Sequence, residues 1–154
     1  MATLTSIRDG IGTNLANISS LMIYDYVPDS IEPPTAVVGV VDSIDYDSTM
    51  ARGSDTYRIP IYLYVSRVDA QDSQETLDAY LNSSGSSSIK AQVESDGTLG
   101  GVADSVRVVE ADNYGVYTVN DIDYLGVEFL VEVIAWSMNQ LFLVNQRSGY
   151  WNKV

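Results

Sequence analysis

Cysteine and histidine are both absent from this sequence of 154 residues. Without cysteine there is no disulfide framework, no thiol nucleophile and no thiolate metal ligand. Without histidine the chain also lacks the commonest general base and the commonest metal ligand. The sequence contains no nucleophile elbow, phosphate-binding loop or metal-binding box either. We therefore predict a protein that is not an enzyme, with no catalytic residues, no bound metal and no cofactor.

Basic residues are scarce. The chain has eight Lys and Arg against 21 Asp and Glu, which gives a formal net charge of -13. Binding to nucleic acid or to anionic lipid requires clustered Lys and Arg, so both are disfavoured. An acidic surface is still compatible with a protein past which DNA slides without sticking. All of the carboxylates lie in residues 1–136, and the last 18 residues contain only Arg147 and Lys153 as charged side chains.

Long apolar runs are missing as well. No run approaches the ~20 apolar residues of a membrane span, and the N-terminus lacks the unbroken apolar core of a signal peptide. We expect a soluble protein that is made in a cytosol. Since 45% of its residues are apolar, a chain of this length fits one domain with a core of its own.

The clearest structural signal is the alternation of side chains in residues 114–135. Every second residue of 125–135 is apolar, while the intervening set includes two glutamates. A period of two is typical of a half-buried strand in an antiparallel sheet. Asn120 and Asp121 favour a turn just before this strand. The segment therefore predicts a hairpin whose second arm is the longest strand of the protein.

Residues 56–67 show the same alternation. Pro60 cannot donate a hydrogen bond to a ladder, so we place this strand at a sheet edge or give it a local break. Tyr62 and Tyr64 project from the face opposite the apolar one. They are candidates for an interface with a neighbouring subunit, because tyrosine offers both apolar area and a hydroxyl. Ordinary cross-strand packing explains them equally well.

Apolar periodicity predicts three helices and three more strands. The helices span residues 4–18, residues 69–82 with Asp69 or Asp72 as the cap, and a short segment from Ile89 to Val93. The additional strands span residues 20–27, 35–41 and 104–111. Since strands outnumber helices and the connections are short, we predict an α+β domain, with an antiparallel or mixed β-sheet of about six strands and helices packed on one face. Such a sheet has edges that must be covered, charged or paired with another chain.

A polar segment between two predicted strands contains Asp42, Asp45 and Asp47. The D-x-D pair formed by Asp45 and Asp47 can hold a hard cation through carboxylate oxygens. The same residues are also typical of turns and caps in a solvated loop. Asp121 and Asp123 in the hairpin leave the same two interpretations open.

Residues 136–154 are rich in apolar and aromatic side chains and are nearly uncharged. A free segment of this kind would form an exposed apolar patch. We predict that it is a C-terminal extension of a domain formed by residues 1–135, and that it docks on a neighbouring subunit or partner through Trp136, Phe142 and Trp151. The alternatives are that it folds back as a last strand or helix, or that it takes no part in the fold.

Six stretches of the chain carry a resemblance to a known family. They are YDYVPD (24–29), PPTAVVG (33–39), IDYDSTMARGSDTYRIPIYLYVSR (44–67), LDAYL (77–81), LGGVADSVRV (99–108) and YLGVEFLVEVIA (124–135). Together and in this order they resemble the tail terminator proteins of long-tailed, non-contractile (siphovirus-type) bacteriophages of actinobacterial hosts. Proteins of that family usually end near the position of Ala135, so the segment from Trp136 departs from their pattern.

The resemblance implies an α+β subunit that closes into a ring, with six copies expected, on the end of the tail tube. Such a ring stops polymerisation of the tube and joins the tail to the head. The expected partners are further copies of the chain, the tail tube protein and the head–tail connector or adaptor protein. We expect a structural virion protein that is assembled in the host cytoplasm and located at the head-proximal end of the tail.

Genome DNA would pass through such a ring without sequence-specific binding. We expect the acidic loop with Asp42, Asp45 and Asp47 to face the channel, because attraction to the duplex would stall it. The alternatives are another neck or tail component, namely a head–tail adaptor or a tail tube subunit, and a small non-enzymatic binding module.

Overall fold

The computed structural model describes residues 3–19, 21–24, 26, 28–47, 53–67 and 73–136. Four strands and one helix precede the middle of the chain, and they are α1 (Leu4–Leu15), β1 (Met22–Tyr24), β2 (Thr35–Val38), β3 (Ser43–Asp45) and β4 (Ser54–Arg67). Two helices, a 3-10 turn and two long strands follow, and they are α2 (Ser73–Leu81), α3 (Ile89–Val93), the turn Leu99–Gly101, β5 (Ser105–Val119) and β6 (Ile122–Trp136).

The six strands form one mixed sheet in the order β1-β2-β4-β6-β5. β1 and β2 are parallel, and the other pairs are antiparallel. β3 pairs with β4 as well, on the side of β4 that β2 also occupies, because β6 takes the other side along the whole strand. This architecture confirms the predicted α+β class and the expected number of strands.

The distribution of strands along the chain differs from the prediction. β3 lies in the segment that was expected to be a polar loop. The two strands expected at 104–111 and 114–119 form the single strand β5, which has register shifts at Val108/Glu110 and at Asp112/Gly115. Bulges of this kind let a strand bend without ending, so a break in the alternating pattern did not mean a break in the strand.

β4 occupies the centre of the sheet, so the prediction of an edge position was wrong. The sheet accommodates Pro60 because β2 ends at Val38 and β3 begins at Ser43, which interrupts the partner strand opposite the proline. The Pro60 carbonyl still accepts a hydrogen bond from the Gly39 N–H at 2.8 Å. A Cβ on Gly39 would lie 2.9 Å from a ring carbon of Tyr62 and 3.2 Å from the Pro60 carbonyl oxygen, so the absence of a side chain allows this close approach.

One face of the sheet carries the main core, as the alternation predicted. Ile59, Ile61 and Leu63 of β4 are completely buried, and so are Val131 and Val133 of β6. Burial of each such side chain contributes about 1.5–3 kcal/mol relative to its exposure. All three helices pack on this face through buried residues, which are Ile7, Ile11 and Leu15 of α1, Leu77 and Tyr80 of α2, and Ile89 and Val93 of α3.

Local contacts fix the first helix on the sheet. The Thr3 side chain accepts a hydrogen bond from the Ser6 N–H at 3.1 Å, and the Ser6 hydroxyl oxygen accepts one from the Thr3 N–H at 2.9 Å. This reciprocal pair is a capping box. A Cβ on Gly10 would lie 2.8 Å from Cβ of Leu99, so the glycine that weakens the isolated helix is what allows α1 to approach the 3-10 turn.

The β5–β6 hairpin forms as predicted, but its second arm is not longer than its first, because β5 and β6 both have 15 residues. Asn120 and Asp121 both have positive φ, at 53° and 63°, and they connect the paired residues Val119 and Ile122. Two consecutive residues with positive φ are the signature of a type I′ turn, whose twist matches that of the flanking strands. The predicted helix caps Asp69 and Asp72 lie outside the described residues.

Gly126→Ala is expected to lower the free energy of unfolding by about 1–3 kcal/mol, the usual cost of overpacking. An added Cβ would lie 2.4 Å from the Leu63 carbonyl oxygen and 3.0 Å from Cδ2 of Tyr117. Equilibrium urea unfolding measures the change. Gly115→Ala is the matched control, because Gly115 pairs with Gly126 across the ladder and its Cβ would meet nothing within 4 Å. Equal stability of the two variants would contradict this role for Gly126.

Candidate assembly surfaces

The face of the sheet turned away from the helices has an aromatic end and an acidic end. The aromatic end holds a second, smaller core, formed by Ile31, Val37 and Tyr124 with Tyr24, Tyr62, Tyr64, Val119 and Ile122 packed against it. The acidic end holds a shallow cleft, which we call the acidic cleft, and it is lined by Asp42, Glu110, Asp112, Glu128, Asn113 and Leu130.

The aromatic end contains a tyrosine cluster made of Tyr62, Tyr64, Tyr117 and Tyr124. The ring of Tyr117 meets those of Tyr64 and Tyr62 edge-on, with centroids 5.6 and 6.5 Å apart. Tyr64 also packs against Tyr124 at 6.3 Å. The two predicted interface tyrosines, Tyr62 and Tyr64, are therefore half-buried by cross-strand neighbours, and their role in an interface stays a prediction.

Tyr117 is the polar centre of this cluster. Its hydroxyl donates a hydrogen bond to the Asn113 carbonyl at 2.6 Å, across the bulge of β5. Burial, followed by the negative charge of Glu128, raises the pKa of Tyr117 to about 12. Burial also raises the pKa of Tyr62 and of Tyr64 above the ordinary tyrosine value. Tyr62, Tyr64 and Tyr117 are thus neutral at physiological pH.

The acidic cleft brings together carboxylates that are far apart in the sequence. Asp42 comes from the segment before β3, Glu110 and Asp112 from β5, and Glu128 from β6. The Asn113 side chain donates a hydrogen bond to Glu128 at 3.0 Å. No Lys or Arg lines the cleft, so its charge is concentrated on one patch of the open face.

The predicted acidic loop does not act as one unit. Asp42 lines the acidic cleft, but the Asp45 carboxylate accepts a hydrogen bond from Arg58 at 2.9 Å. Asp47 has a positive φ of 53° and its N–H donates to the Asp55 carboxylate at 3.0 Å. Arg58 also approaches Glu132 at 3.8 Å, and the Asp45 contact is the largest cause of its raised pKa.

Each D-x-D pair combines one cross-strand contact with one turn residue. Asp45 pairs with Arg58 of β4, and Asp123 accepts a hydrogen bond from the Thr118 hydroxyl of β5 at 2.6 Å. Asp47 and Asp121 have the positive φ of turn residues. Across the described ranges, no group of three or more Asp, Glu, His or Cys side chains is arranged to hold a metal ion.

Exposed apolar side chains occur on β5, at one edge of the sheet, and on or just after β1, β2 and β3, on the other side of the central pair β4–β6; we call these two groups the borders. Every exposed large hydrophobic residue among those described belongs to one of two groups. The first border has Met22 on β1, with Tyr26 after β1, Val40 after β2 and Tyr46 after β3. The second border has Val109, Tyr114 and Val116, all on β5. Sequence reasoning missed these residues, although the adjacent valines Val108 and Val109 signalled a bulge.

A groove runs beside the first half of β5, and we call it the β5 groove. It has a volume of about 320 Å³ and is lined by Leu81, Ser83, Lys90, Arg107, Val108, Val109, Glu110, Ala111 and Phe129. Glu94, the residue that follows α3, covers one end of the β5 edge, because its carboxylate accepts hydrogen bonds from the Val108 N–H at 2.9 Å and from Lys90 at 2.6 Å. The edge beyond this contact carries the exposed residues Val109, Tyr114 and Val116.

Two of the predicted anchors, Phe142 and Trp151, lie outside the described residues. Trp136 is the last residue of β6, and its backbone pairs with Ser54 of β4. β6 therefore ends next to the start of β4, and the docking role of Trp136 stays a prediction.

Comparison of the chain with models of known protein families gives no match, and comparison with curated protein sequences gives none either. In the part of the chain that the structure describes, no helix is both long and apolar enough to cross a membrane. The surfaces described above are therefore the basis for a functional proposal.

Tyr117→Phe is expected to make the free energy of unfolding fall less steeply as the pH rises from about 10 to 12. Because the folded-state pKa of about 12 exceeds the unfolded value of about 10, the unfolded chain releases this proton first as the pH rises. The stability from neutral Tyr117 is therefore complete below pH ~10 and is lost as the pH rises towards 12. Urea unfolding between these pH values measures the slope, and Tyr46→Phe at an exposed turn serves as the control. The same slope in the Tyr117 variant as in the wild type would contradict the assignment.

Proposed function

We propose that this chain is a structural virion protein of the tail terminator type. Copies of it form a closed ring that caps the tail tube, stops tube polymerisation and joins the tail to the head–tail connector. The observation that carries this proposal is the placement of the exposed apolar side chains on two different, opposite borders of one sheet.

Two different borders favour a ring over a two-fold dimer. A two-fold dimer uses the same patch on both partners, whereas a head-to-tail contact uses two distinct patches and closes into a ring when the rotation allows. The β5 border and the β1–β3 border are separated by the width of the sheet. Each copy therefore has one patch free for the preceding copy and one for the next.

The acidic end of the open face supports passage of DNA. A duplex that moves through a ring must not be held by its phosphates, and carboxylates on the wall prevent such attraction. The acidic cleft supplies four carboxylates without a lining cation. We propose that this face, with Asp42, lines the channel, whereas Asp45 contributes less because Arg58 neutralises it.

The proposed ring contains six copies of the chain. Its other proposed partners are the tail tube protein and the head–tail connector or adaptor protein. The proposed location is the head-proximal end of the virion tail, after assembly in the host cytoplasm. The resemblance of the six sequence stretches supports the terminator in particular. A head–tail adaptor or a tail tube subunit would also form a ring, so the apolar borders favour all three over a monomeric binding module.

The purified chain is expected to sediment as a single closed oligomer and to form rings in negative-stain electron micrographs. Burial of the two apolar borders drives this association. Sedimentation velocity over a range of protein concentrations measures the oligomer. A chain that remains a monomer at all concentrations would be incompatible with the proposal.

Deletion of the gene from a phage that carries it is expected to give tails of uncontrolled length, because nothing would then stop the tube. Electron micrographs of lysates measure the distribution of tail lengths. Complementation with the wild-type chain, which should restore a single length, is the control. Tails of normal length that fail to join heads would favour the adaptor instead.

A further inference from the structure

The β5 groove offers a site for one aromatic side chain. Leu81 and Phe129 form part of its lining, and Val109, whose side chain is 40% exposed, stands at its border. Its volume of about 320 Å³ lies at the lower end of the range of small-ligand pockets. Arg107 and Glu110 also line the groove, and Glu132 lies opposite Arg107 in the ladder. Arg107 forms no ion pair with any described residue. The groove therefore combines apolar walls with a cation that has no ion-pair partner among those residues.

Tyr46 has the matching properties on the opposite border. It lies in the turn after β3 and is 71% exposed, the largest fraction among the exposed hydrophobic residues described. Asp47 follows it and is held by the hydrogen bond from its N–H to Asp55. The Asp47 carboxylate forms no ion pair with any described residue. This border thus presents an aromatic side chain next to a carboxylate that forms no ion pair with the described residues.

We propose that Tyr46 of one copy enters the β5 groove of the next copy, where Asp47 pairs with Arg107. This inference rests on the proposed ring and names the contact that closes it. Tyrosine and arginine are the residue types that most often dominate the energy of an interface. The opposite charges of Asp47 and Arg107 would fix the register of the contact and disfavour orientations of the two copies that separate these two residues.

The contact cannot form within one copy. β3 and β5 are separated by β4 and β6, and three inter-strand spacings of about 4.8 Å place them about 14 Å apart. A second copy is the occupant that fits, because its Tyr46 border remains free when its own β5 groove is filled. The contact can therefore repeat around an axis.

Disulfide cross-linking tests the contact directly, because the chain contains no cysteine. Cysteine truncates the Tyr46 anchor, so the double variant Tyr46→Cys/Val109→Cys is oxidised at a protein concentration at which it still sediments as the oligomer. Under this condition mild oxidation is expected to give a ladder of covalent oligomers on a non-reducing gel. A disulfide requires Cα atoms closer than about 7 Å, so a band from a single cross-linked copy is excluded. Each single variant alone is expected to remain uncross-linked, and a mixture of the two single variants should give only the covalent dimer.

The matched control is Tyr26→Cys/Val109→Cys, which moves one cysteine to another exposed tyrosine of the same border. It is expected to give no ladder. Tyr46→Ser should weaken association on the order of tenfold or more, as truncation of an interface anchor does, while Tyr46→Phe should keep most of it. Arg107→Gln and Asp47→Asn should each weaken association, and the double variant should be no weaker than either one. Asparagine tolerates the positive φ at this position.

These experiments distinguish failure of the proposed Tyr46 contact from failure of the proposed ring. A ring that sediments normally but gives no ladder with the Tyr46 pair would overturn the contact and leave the proposed function standing. The β5 groove would then have another occupant, such as residues 137–154. A monomer in every variant and in the wild type would overturn both.

Discussion

The pairing of β4 with β6 is the interaction on which the rest of the structure depends. It runs from Ser54↔Trp136 to Arg67↔Tyr124 and joins two segments that are far apart in the chain. Its register places Ile61 opposite Phe129, so that the buried faces of both strands coincide under the helices. A slip by one residue would turn every apolar side chain to the other face.

This central pair leaves two kinds of surface for function. The open face receives the intervening side chains, which form the tyrosine cluster over Gly126 at one end and the acidic cleft at the other. The two borders receive the apolar side chains that neither core can bury. The helices contribute to these surfaces through Leu81 and Lys90 in the wall of the β5 groove, and Glu94 after α3 binds the edge of β5.

Much of the fold was predictable because its signals are local. The period of two in residues 125–135, the Asn120-Asp121 turn and the apolar stripes of the helices each depend on neighbouring residues only. Pro60 shows where this reasoning ends. A missing N–H indicates a gap in hydrogen bonding, but the gap can lie at a sheet edge or opposite an interrupted partner, and only the pairing of β4 with both β2 and β3 decides which.

The sequence alone determined which side chains share a face, where the hairpin turns, and that histidine and cysteine chemistry is absent, because these properties follow from residue identity and spacing. The tertiary structure decided the order of the strands. That order placed Asp42 beside Glu128 in one cleft and set Tyr46 and Val109 on opposite borders. Beyond Tyr62, Tyr64 and Asp42, the residues of the candidate assembly surfaces could not be predicted. The exposure of a side chain depends on which strands lie beside it, and these pairings join residues that are distant in the chain.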